Sequence, residues 1–184
     1  MHAQLLSAVQ NILSKYGFHE INNDICTSVY MKERLAAQLV FAIQSFDKPL
    51  EQNQIPSTIL DIFHWVQKNI KLRLLKLSQI GLNYIFILPE EIPSSNYESF
   101  IDMHAIKDKK KLAILVATDL ILKDLPLKEF DLGALRKATK DIIVQSISVF
   151  NTRDNTFSQK TTWILVGTVR KILRDLKQME LSHK

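Results

Sequence analysis

Apolar residues recur along the chain with two different periods, and the places where one period gives way to the other outline its elements. Leu5, Leu6, Val9, Ile12, Leu13 and Tyr16 follow steps of three and four, which predicts an amphipathic helix that Gly17 stops. Asn22, Asn23 and Asp24 mark a turn. Residues 25–31 include Ile25, Thr27, Val29 and Tyr30, all favourable in strands. From Ala37 the period is two. Ala37, Leu39, Phe41 and Ile43 fall on one side, Gln38, Val40, Ala42 and Gln44 on the other, and the first set is expected to face a core. The two runs predict an antiparallel hairpin, while residues 32–44 also fit a helix, since Glu, Arg, Leu, Ala and Gln all favour one.

A polar, proline-flanked stretch from Asp47 to Pro56 reads as a loop. Ser57 or Thr58 is placed to cap a helix whose stripe is Ile59, Ile62, Phe63, Val66 and Ile70. Residues 71–77 fit a continued helix or a strand. Leu82 to Leu88 is nearly continuous apolar sequence ending at Pro89, the mark of a strand buried on both faces. A short helix is expected over 97–106 and a second buried strand over 112–117, an arrangement suited to a right-handed parallel crossover. Beyond Pro126, helices are expected over about 131–150, on the spacing of Leu132, Leu135, Ile142, Ser146 and Val149, and over 157–179. The second has the stripe Trp163, Val166, Val169, Leu173 and Leu176.

This order predicts an α/β or α+β fold with a small central sheet, flanking helices and a helical C-terminal part. Residues 1–125 form the expected core domain, and 126–184 the helical part packed on it. Apolar residues are 46% of the 184 and charged residues 23%, enough to build a core without disulfides or metal. Disorder over most of the length is not expected. No apolar run approaches the ~20 residues of a membrane-spanning helix. Met1 to Gln4 has no basic flank before an apolar run, so no signal peptide is expected. The single cysteine, Cys26, has no partner in the chain, and a reducing cytoplasm is the expected compartment.

The net charge of +5 is unevenly placed. Residues 1–70 carry five basic and six acidic side chains, residues 71–184 nineteen and thirteen. A basic second half suits nucleic acid or an acidic partner. Two clusters concentrate it: Lys107, Lys109, Lys110 and Lys111, and the helical set Arg170, Lys171, Arg174 and Lys177. Either could neutralise phosphates; a solvated surface is the plainer role for both.

Residues that could carry chemistry are sparse. His104 and Asp108 share a helix face near Asp102, but a zinc site needs three or four protein ligands and a surface histidine is the simpler reading. Asp61 and His64 could orient a general base, yet no motif ties a nucleophile to them. Cys26 reads as a small strand residue. Nucleases of the restriction-enzyme type place an acid on one strand and acid-x-Lys on the next to hold magnesium. The helix–strand–strand order here is suitable, but Gln38 to Gln44 is neutral throughout. Asp119 and Asp124 with Lys123 are the alternative set. No catalytic residue, metal or cofactor is expected.

The opening helix ending in Lys15-Tyr16-Gly17-Phe18, the strands around Val29 and Val40, and the helix from Ile59 to Trp65 belong to one pattern. The strand Asn83–Leu88, the charged end Ile106–Lys111 and the strand after it complete it. Over about residues 5–120 the chain resembles the middle components of bacterial three-component defence systems built around an SMC-like ATPase, such as Lamassu. That family's pattern sets acidic residues ahead of a lysine-rich strand, met here in part by Asp102 and Asp108. The resemblance implies a non-catalytic subunit that joins a coiled-coil ATPase to an effector such as a nuclease. It carries over no catalytic residue.

Overall fold

The computed structural model describes residues 2–34, 37–48, 54–70, 79–88, 142–152, 156–161, 165 and 167–182. Helix α1 (His2–Lys15) leads into strands β1 (His19–Ile21), β2 (Ser28–Arg34) and β3 (Ala37–Ser45). Helix α2 (Gln54–Asn69), strands β4 (Gln79–Leu88), β5 (Ile142–Asn151) and β6 (Thr156–Thr161), and helix α3 (Gly167–Ser182) follow. The six strands lie side by side in chain order. β1, β2 and β3 run antiparallel, β3, β4 and β5 parallel, and β6 antiparallel on the far edge. The fold is α/β: a mixed sheet between helices, closed by a C-terminal helix.

Each face of the sheet carries its own core. On one side Ile59, Ile62, Phe63 and Val66 of α2, with Ile70 just after it, pack on Val40, Ala42, Leu82, Tyr84, Phe86, Val144 and Val149. On the other, Leu5, Val9 and Leu13 of α1 and Val169, Ile172, Leu173 and Leu176 of α3 cover Leu39, Phe41, Ile43, Ile85, Ile87 and Phe150. Every residue of β4 from Ile80 to Leu88 is buried, as its unbroken apolar run predicts. β3 is also covered on both sides, so both of its alternating sets face a core rather than one.

Local chemistry explains the ends of α1 and α2. Gly17 takes φ +85°, where a side chain would be strained. Its N–H donates to Ser14 O, and the Phe18 N–H donates to Leu13 O. This is a Schellman closure, with Phe18 and Leu13 in the same apolar cluster. Helix α2 begins at Gln54, ahead of the expected cap at Ser57 or Thr58, so its first turn takes up Pro56. Proline is tolerated there because the first N–H groups of a helix lack intrahelical acceptors.

Two expectations for the C-terminal part are corrected. Of the helix expected over 131–150, residues 142–150 form a strand, β5, instead, and 131–141 lie outside the described residues. Leu82 pairs with Val144 and Asn83 with Ser146, so Gln145 is the extra residue of a β-bulge. The bulge puts Gln145 and Ser146 on one face and breaks the two-residue alternation. Ile142, Ser146 and Val149 are left at a spacing that imitates a helix. The helix expected from 157 starts instead at Gly167, because 156–161 pair with β5 as an edge strand. Residues 71–77, 97–106 and 112–117, with the crossover expected there, lie outside the described residues.

Candidate nucleic-acid interface

Helix α3 sorts its side chains by polarity. Val169, Ile172, Leu173 and Leu176 are buried against the sheet. Arg170, Lys171, Arg174 and Lys177 are all exposed. At about 100° per residue these four cations and the exposed Gln178 occupy an arc of about 120°. Along the axis, Arg170 to Lys177 covers about 10 Å.

The acid on this stretch of helix is turned away and engaged. Asp175 accepts a hydrogen bond of 2.7 Å from the Tyr16 hydroxyl, and Lys15 Nζ lies 3.7 Å from the same carboxylate oxygen. That bond raises the Tyr16 phenol above its ordinary range, with desolvation and the Asp175 charge adding to it. The contact joins the end of α1 to the middle of α3 and sets Lys15, 70% exposed, beside the basic arc. At the other end Arg34, the last residue of β2, donates from Nη1 to the Thr168 hydroxyl in the first turn of α3. Arg34 is exposed as well. Sequence reasoning missed Lys15 and Arg34, since only the packing of α1 and β2 on α3 brings them there. Lys107, Lys109, Lys110 and Lys111 lie outside the described residues.

The β2–β3 hairpin has the antiparallel form expected of it, with Ser28 opposite Ile43 and Glu33 opposite Gln38. Glu33 is the sole carboxylate in its two strands, and β3 contains neither acid nor lysine. Where β2 begins, Ser28 is buried and accepts a hydrogen bond of 2.9 Å from the Gln10 amide of α1. Thr27 Oγ1 accepts from the Ser45 N–H at 3.0 Å. This end of the hairpin is thus lined by neutral amide and hydroxyl groups.

Other candidates are placed apart from one another. Asp61 and His64 are exposed on α2, and the His64 ring meets the edge of Phe63. Their neighbour Trp65 donates its indole N–H to Asp24 at 2.8 Å, tying α2 to the turn after β1. Cys26 is half-buried in that turn, where Asn23 Oδ1 accepts from the Ile25 and Cys26 N–H groups. Burial pushes its thiol up to about 12, outweighing its backbone hydrogen bonds. Such a thiol is inert at neutral pH. Among the described residues no three His, Cys, Asp or Glu side chains come together as a metal site would require. His104, Asp102, Asp108, Asp119, Lys123 and Asp124 fall outside those residues.

No family model, curated protein or solved structure matches this chain. No helix among the described residues is long and apolar enough to cross a membrane.

Proposed function

We propose that this chain is a non-catalytic accessory subunit of a cytoplasmic bacterial defence complex directed against phages or plasmids. It bridges an SMC-like coiled-coil ATPase and an effector, and touches DNA through its basic second half. The observation that carries the non-catalytic reading is the hairpin. A restriction-type nuclease would need its metal ligands there, and the strands offer Glu33 alone, set opposite the amide of Gln38. Neutral amides and hydroxyls bind magnesium too weakly to replace carboxylates beside a scissile phosphate. The identity of the partners comes from the resemblance over residues 5–120. The DNA contact is supported by the cationic face of α3.

The test is a tagged pull-down of the chain from its native host at moderate salt, with mass spectrometry of what accompanies it. A large coiled-coil ATPase and an effector in fixed ratio support the bridging role. Recovery of the chain alone overturns it. The α3 face also favours a second reading, a nucleic-acid-binding protein that acts by itself. Tight DNA binding by the purified chain together with an empty pull-down would select that one. Divalent-metal-dependent cleavage by the purified chain, lost on changing Asp119 or Asp124, would instead identify a divergent nuclease.

A further inference from the structure

We infer that the outward face of α3, extended by Arg34 and Lys15, binds the phosphate backbone of double-stranded DNA without reading its sequence. The inference deepens the DNA-contact part of the proposed function and rests on it. Three features of the face choose the ligand. First, it is cationic with its acid removed: Arg170, Lys171, Arg174 and Lys177 are exposed, while Asp175 is held by Tyr16 and Lys15 toward α1. Cations from two further elements border this face on the Lys171 side: Arg34 reaches Thr168 at the amino end of α3, and Lys15 lies beside Asp175. Several exposed cations gathered on one surface suit a polyanion, which repays each of them with a phosphate contact.

Second, the arc between the cations contains Gln178 and no aromatic side chain. Single-stranded nucleic acid is held by stacking of its bases on aromatic rings, so the face suits a duplex, whose bases are already stacked. Among the described side chains this face also offers no aromatic or aliphatic anchor of the kind on which a protein interface depends, which disfavours an acidic protein surface. Third, the apolar face of α3 is spent on the sheet, with Val169, Ile172 and Leu176 fully buried. A helix that lies in a membrane surface must offer that face to lipid. Contacts from arginine and lysine to phosphates position a protein on DNA without specifying sequence.

The test is fluorescence anisotropy of the purified full chain with labelled duplexes of about 24 base pairs, between about 50 and 200 mM salt. With four to five phosphates neutralised, the slope of log affinity against log salt is expected near −4, and affinity falls about 250-fold across that range. Two duplexes of unrelated sequence should bind equally. The variant R170E/R174E/K177E should lose about a hundredfold or more at the lower salt, while Lys68→Glu on α2 changes little. The gentler pair Lys171→Gln and Lys177→Gln adds no acid and keeps both arginines, so it protects the test against misfolding; it should flatten the slope by about 2. Absence of binding at the lower salt, or binding unchanged in both variants, overturns the inference. So does displacement of DNA by an acidic polypeptide, by single strands or by anionic vesicles at lower charge concentration than duplex competitor. The bridging role is read separately, by whether the ATPase and effector still accompany R170E/R174E/K177E. Partners retained with DNA binding lost supports this assignment; partners lost with DNA binding retained overturns it.

Discussion

A methyl group at Gly81 would lie 2.6 Å from Gln145 Oε1 and 2.9 Å from its Nε2, so a side chain at this position in β4 requires the Gln145 amide to move. The space is taken because Gln145 turns inward at the bulge and receives the Asn83 amide at 3.0 Å. Asn83 in turn accepts from Ser146 at 2.6 Å, and all three are buried. Gly81→Ala is expected to lower stability by about 1–3 kcal/mol through overpacking. In urea denaturation, Gly81→Ala combined with Gln145→Ala should be less damaging than the sum of the single changes. Strict additivity would show that the contact is not what excludes the methyl. At Cys26 the prediction is kinetic. Because its thiol ionises only toward about 12, a thiol reagent at about pH 8 should label the native protein at least about a hundredfold more slowly than the urea-unfolded chain. Equal rates would contradict the burial that raises it.

At the scale of elements, α2 shows how far a periodic stripe can be trusted. Ile59, Ile62, Phe63, Val66 and Ile70 were legible as one face, and all five are buried. Ile62→Ala should therefore cost about 2–5 kcal/mol by chemical denaturation. The exposed Asp61→Ala, one residue away, should stay within about 0.5 kcal/mol. Similar costs at both sites would mean that α2 is rotated from this placement. α3 was legible in the same way: Val169, Leu173 and Leu176 are buried, and the four cations lie opposite them. β5 was not legible, because the bulge at Gln145 removes the alternation that marks a strand. β6 escaped for a different reason. Thr156 to Thr161 is mostly polar, and its strand form is secured by hydrogen bonds to β5 rather than by its own pattern.

For the whole molecule, alkaline pH tests the buried protonated groups together. Cys26 rises from an ordinary 9.0 to about 12, and Tyr84, fully buried beneath α2 and donating to Ile59 O at 2.8 Å, is raised well above 10.0. Desolvation is the first cause in both. In the unfolded chain these groups release their protons at lower pH than in the native state. Their contribution is complete below about pH 9 and is lost as pH climbs toward 12. The melting temperature should accordingly decline from about pH 9 upward, and Cys26→Ala should remove the earliest part of that decline. A melting temperature that is level from pH 9 to 11 would sink this account.

Periodicity alone was enough for the α/β class, for α1 with its glycine stop, for the β2–β3 hairpin, for the α2 stripe, for β4 and for the two faces of α3. In each of these, neighbouring residues determine which side meets water, and burial of apolar surface rewards that pattern wherever the partner lies. Three-dimensional packing decided the rest: that β3 is covered on both sides, that Gln145 turns inward toward Gly81, and that 156–161 complete the sheet edge. It also decided the membership of the basic face. Arg34 and Lys15 lie 134 and 160 positions from the residues they meet on α3. No local period encodes such a juxtaposition, because it exists only once two helices and the end of a strand share one side of a folded sheet.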